Sequence, residues 1–161
     1  MKQVWITIIL TAALAGCAVQ PPVQRVPFPT AEYDALPKTG TGTVTGQAFL
    51  RTVGGEVKYG AGSDVYLQPV TAYTTQWYEV NVLGGRQLAS PDPRANQGQL
   101  STQADGSGNF SFTNVPPGKY YLSAAIRWSA PSQYGLLPQG GVIVKTIAVS
   151  DGNQTTQMLT Q

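Results

Sequence analysis

The chain has 161 residues, enough for one domain of ordinary size and too few for two with separate cores. Only 11% of them are charged, the formal net charge is +2, and the basic residues are scattered, which argues against a dedicated nucleic-acid binder. There is no His, so the commonest general base and the commonest zinc ligand are both missing.

Residues 1–16 have the layout of an export signal. Lys2 supplies a positive start, Val4 to Ala15 form an uncharged and mostly apolar run, and small residues precede a cysteine in Leu14-Ala15-Gly16-Cys17. The run is too short to cross ~30 Å of hydrocarbon comfortably as a mature helix. The tetrapeptide resembles the lipobox of bacterial lipoproteins, which implies cleavage before Cys17 and lipidation of that residue. Cys17 is the single cysteine, so no intramolecular disulfide is possible. Ala18 follows it where an Asp would signal retention in the inner membrane. The resemblance therefore implies a lipid anchor in an outer membrane, with the periplasmic face favoured over the cell surface.

Residues 17–41 carry the lipidated Cys and read as a tether. Pro21, Pro22, Pro27, Pro29 and Pro37 punctuate them, and no period of 2 or 3.6 is sustained. Such a segment favours extended polyproline II, at ~3.1 Å per residue, and a stalk reaching ~60–70 Å. The alternative is that Val26-Pro27-Phe28-Pro29 docks on a partner or on the domain itself.

From Gly42 onward short alternating runs are separated by turn signals. Val44, Gly46, Ala48 and Leu50 share one face of a first strand. Val65 and Leu67 share a face of a second, and Gln99 to Gln103 form a short polar strand suited to an edge. Asp105-Gly106-Ser107-Gly108 is a turn, after which Phe110 and Phe112 point the same way. Beyond the Pro116-Pro117-Gly118 turn, Tyr120, Leu122, Ala124, Ile126 and Trp128 line one strand face. Val142 to Val149 is a more continuous apolar strand, and a last strand contains Met158 and Leu159. Seven strands at these spacings predict an all-β, two-sheet Greek-key sandwich over residues 42–161. Two stretches break the regularity. Ala72 to Leu83 reads as a helical turn running into a strand, and Gly84 to Gly98 reads as a long loop, of a kind that is often functional.

The run Thr102-x-Ala104-Asp105-Gly106, Phe110-x-Phe112 and Val115-Pro116-Pro117-Gly118-x-Tyr120-x-Leu122 resembles the carboxypeptidase regulatory-like family of transthyretin-like sandwiches. So do Gly42-x-Val44-x-Gly46 and Ala61-Gly62-x-x-Val65-x-Leu67, and the likeness covers residues 42–160. It implies an extracytoplasmic accessory domain rather than a particular reaction. Ser107-Gly108 departs from the family's tighter hairpin.

Little in the sequence supports catalysis. Serine and cysteine triads of the usual type need His, and among the carboxylates only Glu56 with Glu79 is a pair worth noting for paired-carboxylate chemistry. Asp105-x-Ser107-x-Asn109 alternates oxygen ligands, but Pro116 stands where an EF-hand needs a bidentate Glu, so a turn is the better reading. The expectation is a non-enzyme without cofactor or metal. Its candidate contact residues are Trp77, Tyr78, Arg86 and Arg94, with Trp128 assigned to the core. The first functional reading is an accessory scaffold, membrane-attached through its lipid, that binds an envelope protein. The alternative is a surface glycan-binding module using the same aromatics, or else a structural spacer.

Overall fold

The computed structural model describes residues 20–161; Cys17 and the signal segment lie outside the described residues. The fold is an all-β sandwich of two four-stranded sheets. In the first sheet β1 (Gly42–Arg51) is central. One of its edges pairs antiparallel with β5 (Asn109–Val115) and then, further along, with β2 (Val57–Tyr59). Its other edge pairs in parallel with β8 (Gln154–Leu159). The second sheet is antiparallel and runs β4 (Leu100–Gln103), β3 (Asp64–Pro69), β6 (Gly118–Ser132), β7 (Gly135–Val149).

The alternation read from the sequence selects the buried face. Val44, Ala48, Val65, Leu67, Leu122, Ala124 and Ile126 are all nearly inaccessible and meet between the sheets. Phe110 and Phe112 pack edge to face there, with ring centroids 6.2 Å apart. Trp128, expected in the core, is only partly buried and packs against its rim. The seven predicted strands are present, and the three-residue β2 makes an eighth. The β6–β7 hairpin runs beyond the sandwich, where residues 131–140 are exposed and Tyr134 stands at the tip.

Two parts differ from expectation. Ala72 to Leu83 does not end in a strand. It is α2 (Ala72–Trp77), continued by a π-helical segment over Tyr78–Leu83. The alternation of Tyr78, Val80 and Val82 is overridden because the preceding turn is strongly nucleated: Thr71 and Thr74 form a reciprocal capping box. Gly85, at φ 59°, lets the chain turn out of the helix while the Arg86 N–H donates to the Val80 carbonyl at 2.9 Å.

The proline-rich segment is also not a free stalk. Thr30–Asp34 forms a short helix, α1, and Tyr33 is 1% exposed. Val23 pairs with the 84–98 loop, its N–H donating to the Gln87 carbonyl at 2.8 Å and its carbonyl accepting from Ala89 N–H at 2.9 Å. Phe28 lies tilted against Tyr33 and edge to face with Tyr73, with ring centroids 4.5 and 5.6 Å away. Proline content favoured extension, but two aromatics with a buried surface to join outweigh it: burying each one yields ~2 kcal/mol or more.

Gly46 faces the Gln157 backbone and the Phe110 ring so closely that a Cβ there would collide with both, whereas a Cβ at Gly106 would meet nothing. Gly46→Ala is expected to destabilise the domain by about 3 kcal/mol, and Gly106→Ala to be close to neutral, in denaturant melts. Tyr33→Ala is expected to cost about 3 kcal/mol and lower Tm by about 6–12 °C. An unchanged Tm would mean the segment is a stalk after all.

Candidate functional site

The outer face of the second sheet is the half-covered one. Register places Tyr66 beside Ser123 and Gln68 beside Tyr121, with Ala125 opposite Val142 on β7. Small residues at 123 and 125 leave a trough between larger neighbours. The α2 helix and its π continuation cover the Tyr121 end: Tyr78 stacks on Tyr121 at 4.9 Å, and Trp77 meets the same ring edge-on at 6.3 Å. Thr75 and Tyr121 share a hydroxyl contact at 3.2 Å.

Beside Trp77 a groove of about 320 Å³ remains, lined by Tyr66, Gln68, Gln99, Ser123 and Ala125 among others. The Gln68 amide donates to the Gln99 carbonyl oxygen at 2.7 Å, which fixes both amides in orientation. Tyr66 is kept a neutral phenol: partial burial and the nearby Asp64 carboxylate raise its pKa above the usual value. A second hollow of about 200 Å³ lies against Gln68 and Trp77 as well, and is lined further by Arg25, Tyr73, Pro91 and Asn96. Trp77 and Gln68 thus border both hollows.

The helix is held in place from the N-terminal segment. The Glu32 carboxylate accepts from Ala72 N–H at 3.0 Å, and the Thr71 hydroxyl donates to the Tyr33 oxygen at 3.4 Å. The Gln76 side chain donates to the Gln24 carbonyl and accepts from Val26 N–H, both at 2.9 Å. The 84–98 loop is held too. Asp92 accepts two side-chain bonds from Arg94 and one from its backbone, each at 2.9 Å, at the start of a 3₁₀ turn over Pro93–Asn96. The Tyr73 hydroxyl accepts from Asp92 N–H at 2.7 Å.

Of the residues singled out from the sequence, Trp77 lies at the centre of the site. Tyr78 is next to it but spends its ring on Tyr121. Arg86 is exposed just past the helix and lines neither hollow. Arg94 is committed to Asp92 and to the Phe28 ring, 4.4 Å away. Glu56 is bonded to Lys58 in the turn before β2, and Glu79 sits on the exposed side of the π-helical segment. Asp105 accepts from the backbone N–H of Ser107 and Asn109, at 2.8 and 2.9 Å, so its carboxylate closes the turn. Sequence reasoning missed Tyr66, Gln68, Gln99, Ser123 and Arg25. The signal was present for the first two, as the face of β3 opposite Val65 and Leu67 carries an aromatic and an amide.

No family model matches the chain, and no curated protein does. Among solved structures it is similar to a Pseudomonas aeruginosa protein whose proposed role is carbohydrate binding. The TM-score is 0.77 and the identity 28%, over 85% of this chain and 99% of the other.

Arg94 holds the Asp92 carboxyl at about 2, well below the ordinary value, chiefly through its side-chain hydrogen bonds. A depressed folded-state pKa stabilises the loop fully above the ordinary carboxylate range, and the contribution is lost as pH falls through about 2. Arg94→Gln is expected to move the Asp92 midpoint up toward the ordinary range in an NMR carboxyl titration. A midpoint that stays put would remove Arg94 as the cause.

Proposed function

We propose that the protein is a non-enzymatic carbohydrate-binding module whose glycan site is the groove beside Trp77. One observation carries this reading. The Trp77 indole and the Tyr66 ring flank two oriented amides and Ser123, in a trough with no charged lining residue. Sugar rings present apolar C–H faces that stack on aromatics and rims of hydroxyls that pair with amides, so the residue types match the ligand on both counts. The similar Pseudomonas aeruginosa protein supports the same class. The envelope-scaffold reading drawn from the sequence has no comparable support: Arg86 and Arg94 line neither hollow, and Arg94 is paired with Asp92. The likeness to carboxypeptidase regulatory-like sandwiches stays with this proposal, as a description of the module type.

The location proposed from the sequence is an outer membrane, with a lipid on Cys17. The packed N-terminal segment changes what that anchor does. Val23 is fixed to the domain, and only five residues separate it from Cys17, six steps of chain that span at most about 20 Å. The module would be held close to the bilayer rather than on a long stalk.

A glycan array probed with the full chain is expected to give hits, and Trp77→Ala to lose at least tenfold in affinity for each, measured by calorimetry. Tyr134→Ala, at the exposed hairpin tip, is expected to bind as the parent does. An array without hits would exclude the proposal.

A further inference from the structure

The second hollow differs from the first in charge. Arg25 is its single charged lining residue, whereas the groove over the sheet has none. Its guanidinium is fixed from two sides: Nε donates to the Ala89 carbonyl at 2.7 Å, and the group lies over the Tyr73 ring at 5.1 Å. Among the described residues the ion pairs are Lys58–Glu56 and Arg94–Asp92. The nearby Asp92 is thus neutralised by Arg94, and no carboxylate is paired with Arg25. A partly buried cation, oriented and left without a counter-charge in a hollow, is a built receptor for an anion.

The geometry points to an acidic glycan as the ligand, with a neutral face of one sugar in the groove over Ser123 and Ala125 and a carboxylate-bearing neighbour against Arg25. This rests on the glycan reading and deepens it. Trp77 and Gln68 border both hollows, so adjacent sugars of one chain pass the same indole and the same amide. Asn96, on the 3₁₀ turn, supplies an amide in the charged hollow to pair with hydroxyls. A uronic acid fits this pattern, since its carboxylate projects from the ring edge while its C–H face stays free to pack.

The test is calorimetry of the full chain in mild detergent against uronic-acid tetrasaccharides of several linkages, each beside its carboxyl-reduced neutral counterpart. At least one acidic member is expected to bind about tenfold or more tightly than its neutral counterpart, the effect of one charge-assisted contact. Arg25→Gln is expected to erase that difference, so that the acidic member and its neutral counterpart then bind alike. Arg25→Lys is expected to keep much of it, which also controls for folding. Equal binding of both members, or a preference that survives Arg25→Gln, overturns the inference and leaves the glycan site standing. Uronates that fail to bind when other glycans on the array succeed overturn it in the same way. Failure of every glycan takes the underlying reading with it.

Discussion

Tyr121 stands on the solvent side of the second sheet, next to Gln68 and Thr146 in register, yet it is only 5% exposed. A tyrosine ring in that position needs a cover. The cover is the helix from Ala72 to Leu83, which lays Tyr78 flat on the ring and Trp77 against its edge. Contacts of this kind add ~0.5–1.5 kcal/mol each beyond the area they bury. They also decide where the helix stops covering the sheet. Past Trp77 the strands carry Ser123 and Ala125, too small to hold a helix, and the uncovered trough there is the groove. The site is what remains of a sheet face once Tyr121 has been sealed.

A six-residue α-helix with a π-helical extension has little stability of its own. Its position comes from outside. Thr71 and Thr74 close the first turn on themselves and on the Pro69 carbonyl, 2.7 Å from the Thr74 hydroxyl. Glu32, Tyr33 and Gln76 then tie the helix to the N-terminal segment. That segment in turn bonds to the 84–98 loop through Val23 and Arg25. Helix, N-terminal segment and loop therefore form one mutually dependent layer, and the second hollow lies within it. Interactions so interlocked are not expected to be additive when probed one at a time.

This dependence explains which parts of the molecule were legible in the sequence. The sandwich was, because alternation such as Val44, Ala48, Leu50 or Leu122, Ala124, Ile126 states the buried face directly. The short β2 has a burial pattern without a fully buried residue, so alternation had nothing to mark. Of the site, Trp77 was legible as an aromatic in an irregular stretch, but its partners were not. Gln99, Ser123 and Arg25 are separated by 24 to 98 positions in the chain; strand pairing brings the first two to the groove, and the packing of the layer sets Arg25 in the adjoining hollow. Arg94 was misleading for the same reason: a local Asp92 two residues away, invisible as a partner until the 3₁₀ turn forms, removes its charge from use.

If the groove is the glycan site proposed, one indole, a phenol and a few amides would hold a single sugar weakly, since most of the ligand stays wet and polar contacts exchange with water at small net gain. Anchoring changes the arithmetic. With Cys17 lipidated, as proposed, many copies share one surface and a polymer with repeated sugars meets them together. Each further contact is then an intramolecular event at high effective concentration, and avidity rises by orders of magnitude without any new contact in the groove. Under that proposal the short chain between Cys17 and Val23 would serve this arrangement. A long stalk would dilute the second contact over a large volume, whereas a domain held within ~20 Å of the bilayer confines its cleft to a thin layer in which neighbouring copies are aligned.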